Sequence, residues 1–178
     1  APVLESNARV VGAFALSEEQ AGSDAANQKT VARQDGDGYV LTGRKVWVAN
    51  AEVASVAIVF ACTRPGLRGQ GVTAFLVPMD TPGITVRPIK NMSGSAMFAE
   101  VFFDDVRVPV ENRLGEEGTG FKKFMKTLDS GRISIGAMAV GLAQGALDVA
   151  LPYAAERKQF GKAIAEMSAN DIFRGYVR

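Results

Sequence analysis

The 178-residue sequence contains no histidine, one cysteine and one tryptophan. Lack of histidine removes the usual general base near neutral pH, the Ser-His-Asp and Cys-His devices and most zinc sites. The lone Cys62 excludes an intrachain disulfide framework and suits a reducing compartment. Twenty Lys and Arg stand against 19 Asp and Glu, so no overall basic field speaks for nucleic acid or an anionic membrane as partner. The longest uncharged run, Ile133 to Leu147, has 15 residues. That is short of the roughly 20 apolar residues of a spanning helix, so no membrane segment is expected. No signal-peptide pattern opens the chain, and Ala1 in place of Met reads as an internal start.

What is present is a hydrophobic content of 47 %, enough to build a sizeable core and exclude disorder. Near Gly118 the pattern changes. Before it, β-branched and aromatic runs at Tyr39–Thr42, Val46–Val48, Val56–Cys62, Thr73–Pro78, Ile84–Pro88 and Glu100–Phe103 alternate with turn clusters such as Asp35-Gly36-Asp37-Gly38 and Thr81-Pro82-Gly83. Six or more short strands with tight turns predict an antiparallel barrel or sandwich. From Thr119, apolar residues Phe121, Phe124, Met125 and Leu128 recur at helical spacing, and an Ala-rich stretch continues to Arg157. Pro152 inside it predicts a kink, and Gly161 a break. The segment from Ala163 to Arg178 reads as an interrupted helix. The expected class is thus α+β: a β-domain over 1–117, with 1–11 as lead-in, and the first helices of an incomplete helical domain over 118–178. Charge divides along the same line. Residues 1–118 carry 11 basic and 14 acidic groups, residues 119–162 carry 7 and 3, so a phosphate-bearing ligand belongs against the helical part.

Four stretches carry chemistry. In Phe14-Ala15-Leu16-Ser17-Glu18-Glu19-Gln20-Ala21-Gly22-Ser23-Asp24 a strand opens into a loop whose amides and hydroxyls can donate to a flat polar ligand, although an ordinary capped surface turn has the same composition. Gly43-Arg44-Lys45-Val46-Trp47-Val48-Ala49-Asn50 sets the single Trp beside small residues; a lone Trp can equally be core filler. Leu128-Asp129-Ser130-Gly131-Arg132 leads into a run of small residues that allows close helix approach or simple packing. Tyr153 to Lys162 ends in cations that suit either a phosphate or the helix macrodipole. The Gly115-x-x-Gly118-x-Gly120 segment is not a dinucleotide loop. Its spacing is wrong, and two acids stand where a pyrophosphate needs donors.

Taken together and in order, these stretches resemble the acyl-CoA dehydrogenase family of flavoproteins. Ser17-Glu18 with Gly22-Ser23-Asp24 is similar to its first signature, Gly43-x-Lys45-x-Trp47-Val48-x-Asn50 to its second, and Tyr153-Ala-x-Glu-Arg157-x-Gln-Phe160-Gly161-Lys162 to its C-terminal one. Phe103 to Pro109, Leu114-Gly115 and Gly118-x-Gly120-Phe121 extend the resemblance, which runs from about Gly12 to Lys162. It implies a middle β-barrel domain and the start of a C-terminal helical bundle. It also implies FAD, an acyl-CoA substrate in fatty-acid or amino-acid catabolism, an electron-transfer flavoprotein as electron acceptor, and a homotetramer or homodimer. The location would be bacterial cytoplasm or mitochondrial matrix.

By the same resemblance Phe14, Leu16, Ser17, Gly22 and Ser23 form the flavin loop, Trp47, Val48 and Ala49 line the isoalloxazine ring, and Arg157, Lys158, Gln159 and Phe160 meet the FAD of a neighbouring subunit. Ser23, Asp129, Ser130, Gly131 and Arg132 belong to the acyl-CoA contact. The implied reaction removes the substrate α-proton with a carboxylate and passes the β-hydrogen to flavin N5 as hydride. Three departures stand out. Ala49 occupies the place of a Ser or Thr that hydrogen-bonds N5. Met167-Ser168 replaces a polar pair. The glutamate base of the family is expected beyond Arg178, and its alternative position is Gly131, so no catalytic residue is assigned to this chain. An oxygen-using relative, an acyl-CoA oxidase or flavin monooxygenase, is the alternative that Ala49 favours. A noncatalytic flavin- or CoA-binding or assembly module is the alternative of a different class.

Overall fold

The computed structural model describes residues 11–92, 94 and 97–167. Its Cα packing separates a unit ending at Lys126 from one beginning at Thr127.

The first unit is a seven-stranded sheet: β1 Gly12–Ala15, β2 Val31–Asp35, β3 Gly38–Ala49, β4 Val56–Cys62, β5 Val72–Pro78, β6 Ile84–Ile89 and β7 Phe98–Pro109. The order is β1-β4-β2-β3-β7-β6, with β5 also on β4. The pairings are antiparallel except where β4 meets β1 and β2, which run parallel to it. β4 is a near-continuous apolar run because both its faces are covered. Ala57, Val59 and Ala61 join Leu41, Phe75, Val77, Val101 and Val106 in the main core. Phe60 turns the other way, toward Leu16, Val72 and Ala74.

The first two sequence runs merge into the single 12-residue strand β3. β2 has no clear apolar alternation and was not expected. It exists through its pairing with β3, where Asp35 faces Gly38 across a two-residue turn with Gly36 at φ +62°.

Helix α1 spans Gly120–Glu156 and starts on the β-unit. Phe121 and Phe124 pack on the second cluster, and the Phe124 ring lies 5.9 Å from that of Phe60. The glycines before and at its start are packing glycines. Gly118, at φ +81°, leaves no room for a side chain beside the Gln70 carbonyl and gives its N–H to Thr73 Oγ1 at 2.9 Å. A Cβ on Gly120 would stand 2.7 Å from the Ala74 nitrogen.

In the second unit α1 runs through Pro152 and stops at Glu156. A small hairpin follows, β8 Lys158–Gln159 with β9 Lys162–Ala163, turning at Phe160 (φ +50°) and Gly161 (φ +80°). Residues Ile164–Glu166 form a 3-10 turn, so the expected interrupted helix does not begin at Ala163; the rest of that segment lies outside the described residues. α1 contains an 18-residue window of mean hydropathy 1.5, none of it buried, so by length and composition this helix can cross a membrane. The uncharged run Ile133 to Leu147 is shorter than this window because Arg132 and Asp148 end it, whereas mean hydropathy averages over such charges.

Candidate functional site

The expected loop and strand residues come together in the first unit. After Ala15 the chain leaves β1, and residues 18–21 make a tight turn in which the backbone groups of Glu18 and Ala21 exchange hydrogen bonds of 3.2 and 3.1 Å. The N–H groups of Gly22 and Ser23 and the hydroxyls of Ser17 and Ser23 have no partner among the described residues. Beside this loop, β3 carries a bulge. Lys45 faces Val101 and Val48 faces Ala99, so three residue steps on β3 match two on β7. Side chains alternate along a strand, so without the extra residue Trp47 would follow Lys45 into the core. With it, Trp47 adopts φ +59° and is 62 % exposed, while Val48 is buried. The Trp47 ring meets Phe98 edge-on at 6.4 Å, and Ala49 is exposed at the end of β3. An exposed indole on left-handed backbone, on a strand tied to a donor-bearing loop, has the chemistry to receive a flat, acceptor-rich ring.

Two of the expected contact residues, Leu16 and Val48, have buried side chains and can reach a ligand only through backbone. Phe14 is partly committed to packing, with its ring 5.1 Å from Phe60 and 5.8 Å from Phe124.

Beneath the loop lies a buried ion pair. Lys45 Nζ, with its residue 0 % exposed, donates to Glu18 Oε1 at 2.7 Å, to the Leu16 carbonyl at 3.0 Å and to Gln28 Oε1 at 3.1 Å. The Glu18 carboxylate also accepts from the N–H of Lys29 (2.6 Å), the N–H of Thr30 (3.0 Å) and Gln20 Nε2 (2.6 Å). Burial works against ionisation of Glu18, but the Lys45 charge and these hydrogen bonds hold it below the usual carboxylate value. Burial pulls the Lys45 ammonium down to about 8, against the attraction and hydrogen bond of Glu18. A further bond, from Val46 N–H to the Ser17 carbonyl at 2.9 Å, ties the loop to the bulge. The resemblance names Glu18 and Lys45 within its motifs but gave them no role. Their 27-residue separation hides the pair from any local pattern.

Asp129, Ser130, Gly131 and Arg132 lie in the second unit on exposed turns of α1, and nothing among the described residues stands within 4 Å of a Cβ built on Gly131. Arg157, Lys158, Gln159 and Phe160 begin the β8–β9 hairpin, with Phe160 exposed at its tip. The Arg157 N–H caps the helix end by donating to the Tyr153 carbonyl at 2.9 Å, and its guanidinium has no acidic partner among the described residues. Ser168 lies outside the described residues. The same residues contain no group of three or more His, Cys, Asp or Glu able to hold a metal ion.

The family profile for the acyl-CoA dehydrogenase middle domain matches residues 13–106, and that for the acyl-CoA dehydrogenase C-terminal domain matches residues 118–170. The short-chain specific acyl-CoA dehydrogenase, mitochondrial, of Bos taurus is 47 % identical over 161 residues, covering 89 % of this chain and 39 % of its own length. A probable acyl-CoA dehydrogenase of Bacillus subtilis (strain 168) is 48 % identical over 162 residues, 89 % of this chain and 43 % of its own. Butyryl-CoA dehydrogenase from Megasphaera elsdenii superposes with a TM-score of 0.81 at 42 % identity, over 93 % of this chain and 44 % of its own. The chain spans about two fifths of the length of the curated relatives it matches. With its middle-domain signature borne by the loop and bulge and its C-terminal signature by α1 and the hairpin, the chain belongs to the acyl-CoA dehydrogenase family.

Proposed function

We propose that this chain forms the flavin wall and part of the acyl-CoA contact of an FAD-dependent acyl-CoA dehydrogenase, which oxidises the Cα–Cβ bond of an acyl-CoA thioester. One observation carries the reading. The bulge of β3 turns Trp47 outward, the Val46 N–H beside it holds the Ser17 carbonyl, and the loop so tied carries the unpaired donors of Ser17, Gly22 and Ser23, a donor set that fits the carbonyl-rich edge of a flavin. FAD, when bound, supplies the hydride acceptor. The protein's part is to orient it: the Trp47 face and the Ala49 backbone back the ring, and the loop amides and hydroxyls fix its polar edge. Arg157 has the planar, two-donor head that suits a pyrophosphate, and Arg132 offers the same to the phosphates of CoA. The resemblance puts the glutamate base beyond Arg178, so the reading assigns no proton-abstracting residue to residues 1–178. Membership of the family supports an electron-transfer flavoprotein as the acceptor of the electrons and a homo-oligomer as the assembly.

The test is anaerobic addition of acyl-CoA thioesters of graded length to the intact protein. Bleaching of the flavin absorbance is expected, with recovery when electron-transfer flavoprotein is added. Bound flavin that no thioester reduces would make the chain part of a binding or assembly module instead. Rapid recovery in air alone would favour the oxidase or monooxygenase reading, for which the missing Ser or Thr hydroxyl at Ala49 speaks. Arg157→Ala should lower FAD retention ten-fold or more, given about 1.5–3 kcal/mol for hydrogen bonds to charged groups, with the fold intact. Unchanged flavin content in that variant would remove Arg157 from the site.

A further inference from the structure

We propose that Lys45, Glu18 and Gln28 act as positioning residues that lock the flavin loop to the β3 bulge, an inference that rests on the flavin reading above. A buried ion pair is weak support for a stability role, because apolar residues of similar volume often replace one without loss. This pair does something an apolar pair cannot. The ammonium has three donors and spends them on three different places: the Leu16 carbonyl at the loop entrance, the Glu18 carboxylate within the turn, and the Gln28 amide on the returning chain. The carboxylate in turn takes the N–H groups of Lys29 and Thr30. Residue 16, the turn at 18–21 and the segment 28–30 are thereby referred to one atom, which sits two residues before Trp47 on the strand that carries the ring wall.

Gln28 supplies a second observation. Its Nε2 is buried and has no hydrogen-bond partner among the described residues. Only the amide oxygen can accept from an ammonium, so the orientation that serves Lys45 is the one that strands the nitrogen. A buried orphan donor is unfavourable, and it persists where the surrounding structure gains from the arrangement. Here the gain is a fixed Lys45 Nζ, and through it a fixed spacing between the Ser17 hydroxyl, the Gly22 and Ser23 amides and the Trp47 face.

The experiment compares wild type, Lys45→Met, Lys45→Arg, the double variant Glu18→Leu/Lys45→Met and Gln28→Met in the intact protein. It measures thermal stability, the FAD dissociation constant by flavin fluorescence, and the positions of the flavin absorption bands. Positioning predicts that Lys45→Met weakens FAD about ten-fold, equivalent to about 1.4 kcal/mol. The double variant regains thermal stability but keeps the ten-fold weaker FAD and shifted bands, because no unpaired charge remains and no directional tie remains either. Gln28→Met keeps the ion pair and loses only the third anchor, so its FAD affinity falls several-fold at unchanged melting temperature. Lys45→Arg, whose longer head disturbs the same three acceptors, binds FAD more weakly than wild type. Recovery of FAD affinity together with stability in the double variant overturns the proposal, and so does wild-type FAD affinity in Lys45→Met. If the double variant does not fold, wild-type affinity in Gln28→Met overturns it. A wild-type protein without flavin fails the proposed function and this inference with it, whereas normal wild-type flavin with unaltered variants fails this inference alone.

Discussion

At Lys45 a full charge sits in a β-strand whose neighbours Val46 and Val48 are buried, and its stability depends on every acceptor around it. Removing one partner of a buried pair leaves the other uncompensated, so Lys45→Met should lower stability by about 3–5 kcal/mol, read by denaturant unfolding of the intact protein. The pH dependence follows from the two shifts. Glu18 is depressed below its ordinary 4.5, so its contribution is complete above that pH and is lost as pH falls through the lower folded value. The stability gap between wild type and Glu18→Gln should therefore close on acidification below pH 4.5. For Lys45, folded near 8 and unfolded near 10.5, the unfolded chain holds more protons between those values, so this group alone makes stability rise with pH there. Lys45→Met should remove that rise in thermal melts taken across the range. Ala49 invites the opposite experiment. Ala49→Ser restores a hydroxyl worth about 0.5–1.5 kcal/mol, up to roughly ten-fold in the rate of flavin reduction by stopped flow. No change in either half-reaction would separate Ala49 from the flavin chemistry.

Among the elements, β3 and the start of α1 do most to shape the site. β3 spans 12 residues and is interrupted by two register shifts, the second of which turns Trp47 outward. A regular β3 would bury the indole. α1 meets the β-unit through glycine at one end and phenylalanine a turn later, so its first turn is seated by shape. Gly120→Ala would push a methyl into the backbone of Thr73 and Ala74, and it should cost about 1–3 kcal/mol as overpacking, measured as a fall in melting temperature. Further along, Ile133, Val140 and Leu147 are exposed on a helix apolar enough for a bilayer. The family's C-terminal helical domain offers the alternative cover.

For the whole molecule that difference is measurable. If helices of the same protein cover α1, the intact protein stays in the aqueous fraction without detergent, and Val140→Asp lowers its melting temperature by burying an unpaired charge. Partition into the membrane fraction would instead assign α1 to lipid. Formal charge changes along the sequence, from −3 over residues 1–118 to +4 over residues 119–162, but three of the cations, Lys122, Lys123 and Lys126, fall in the first unit, so the two units themselves are close to neutral.

Much of this was legible along the chain. Alternating β-branched runs and their turn clusters announced the strands, because period-two burial is a local property, and the phenylalanines at 121 and 124 with the Ala-rich stretch announced α1. The Ser17–Ser23 and Trp47–Ala49 stretches could be singled out by residue type alone. β2 could not, since Val-Ala-Arg-Gln-Asp has no strong preference and becomes a strand only by pairing with β3. Nor could the sequence tell that Val48 turns inward while Trp47 turns out, because one inserted residue in a ladder reverses every side chain after it, or that Leu16, just past β1, packs against Phe60, Val72 and Ala74. The sequence by itself determined the fold class, the family and the donors available. Tertiary structure alone decided that Glu18, Gln28 and Lys45, 10 to 27 residues apart, would share one buried charge, because such a pair forms only when the low-dielectric interior is closed around it.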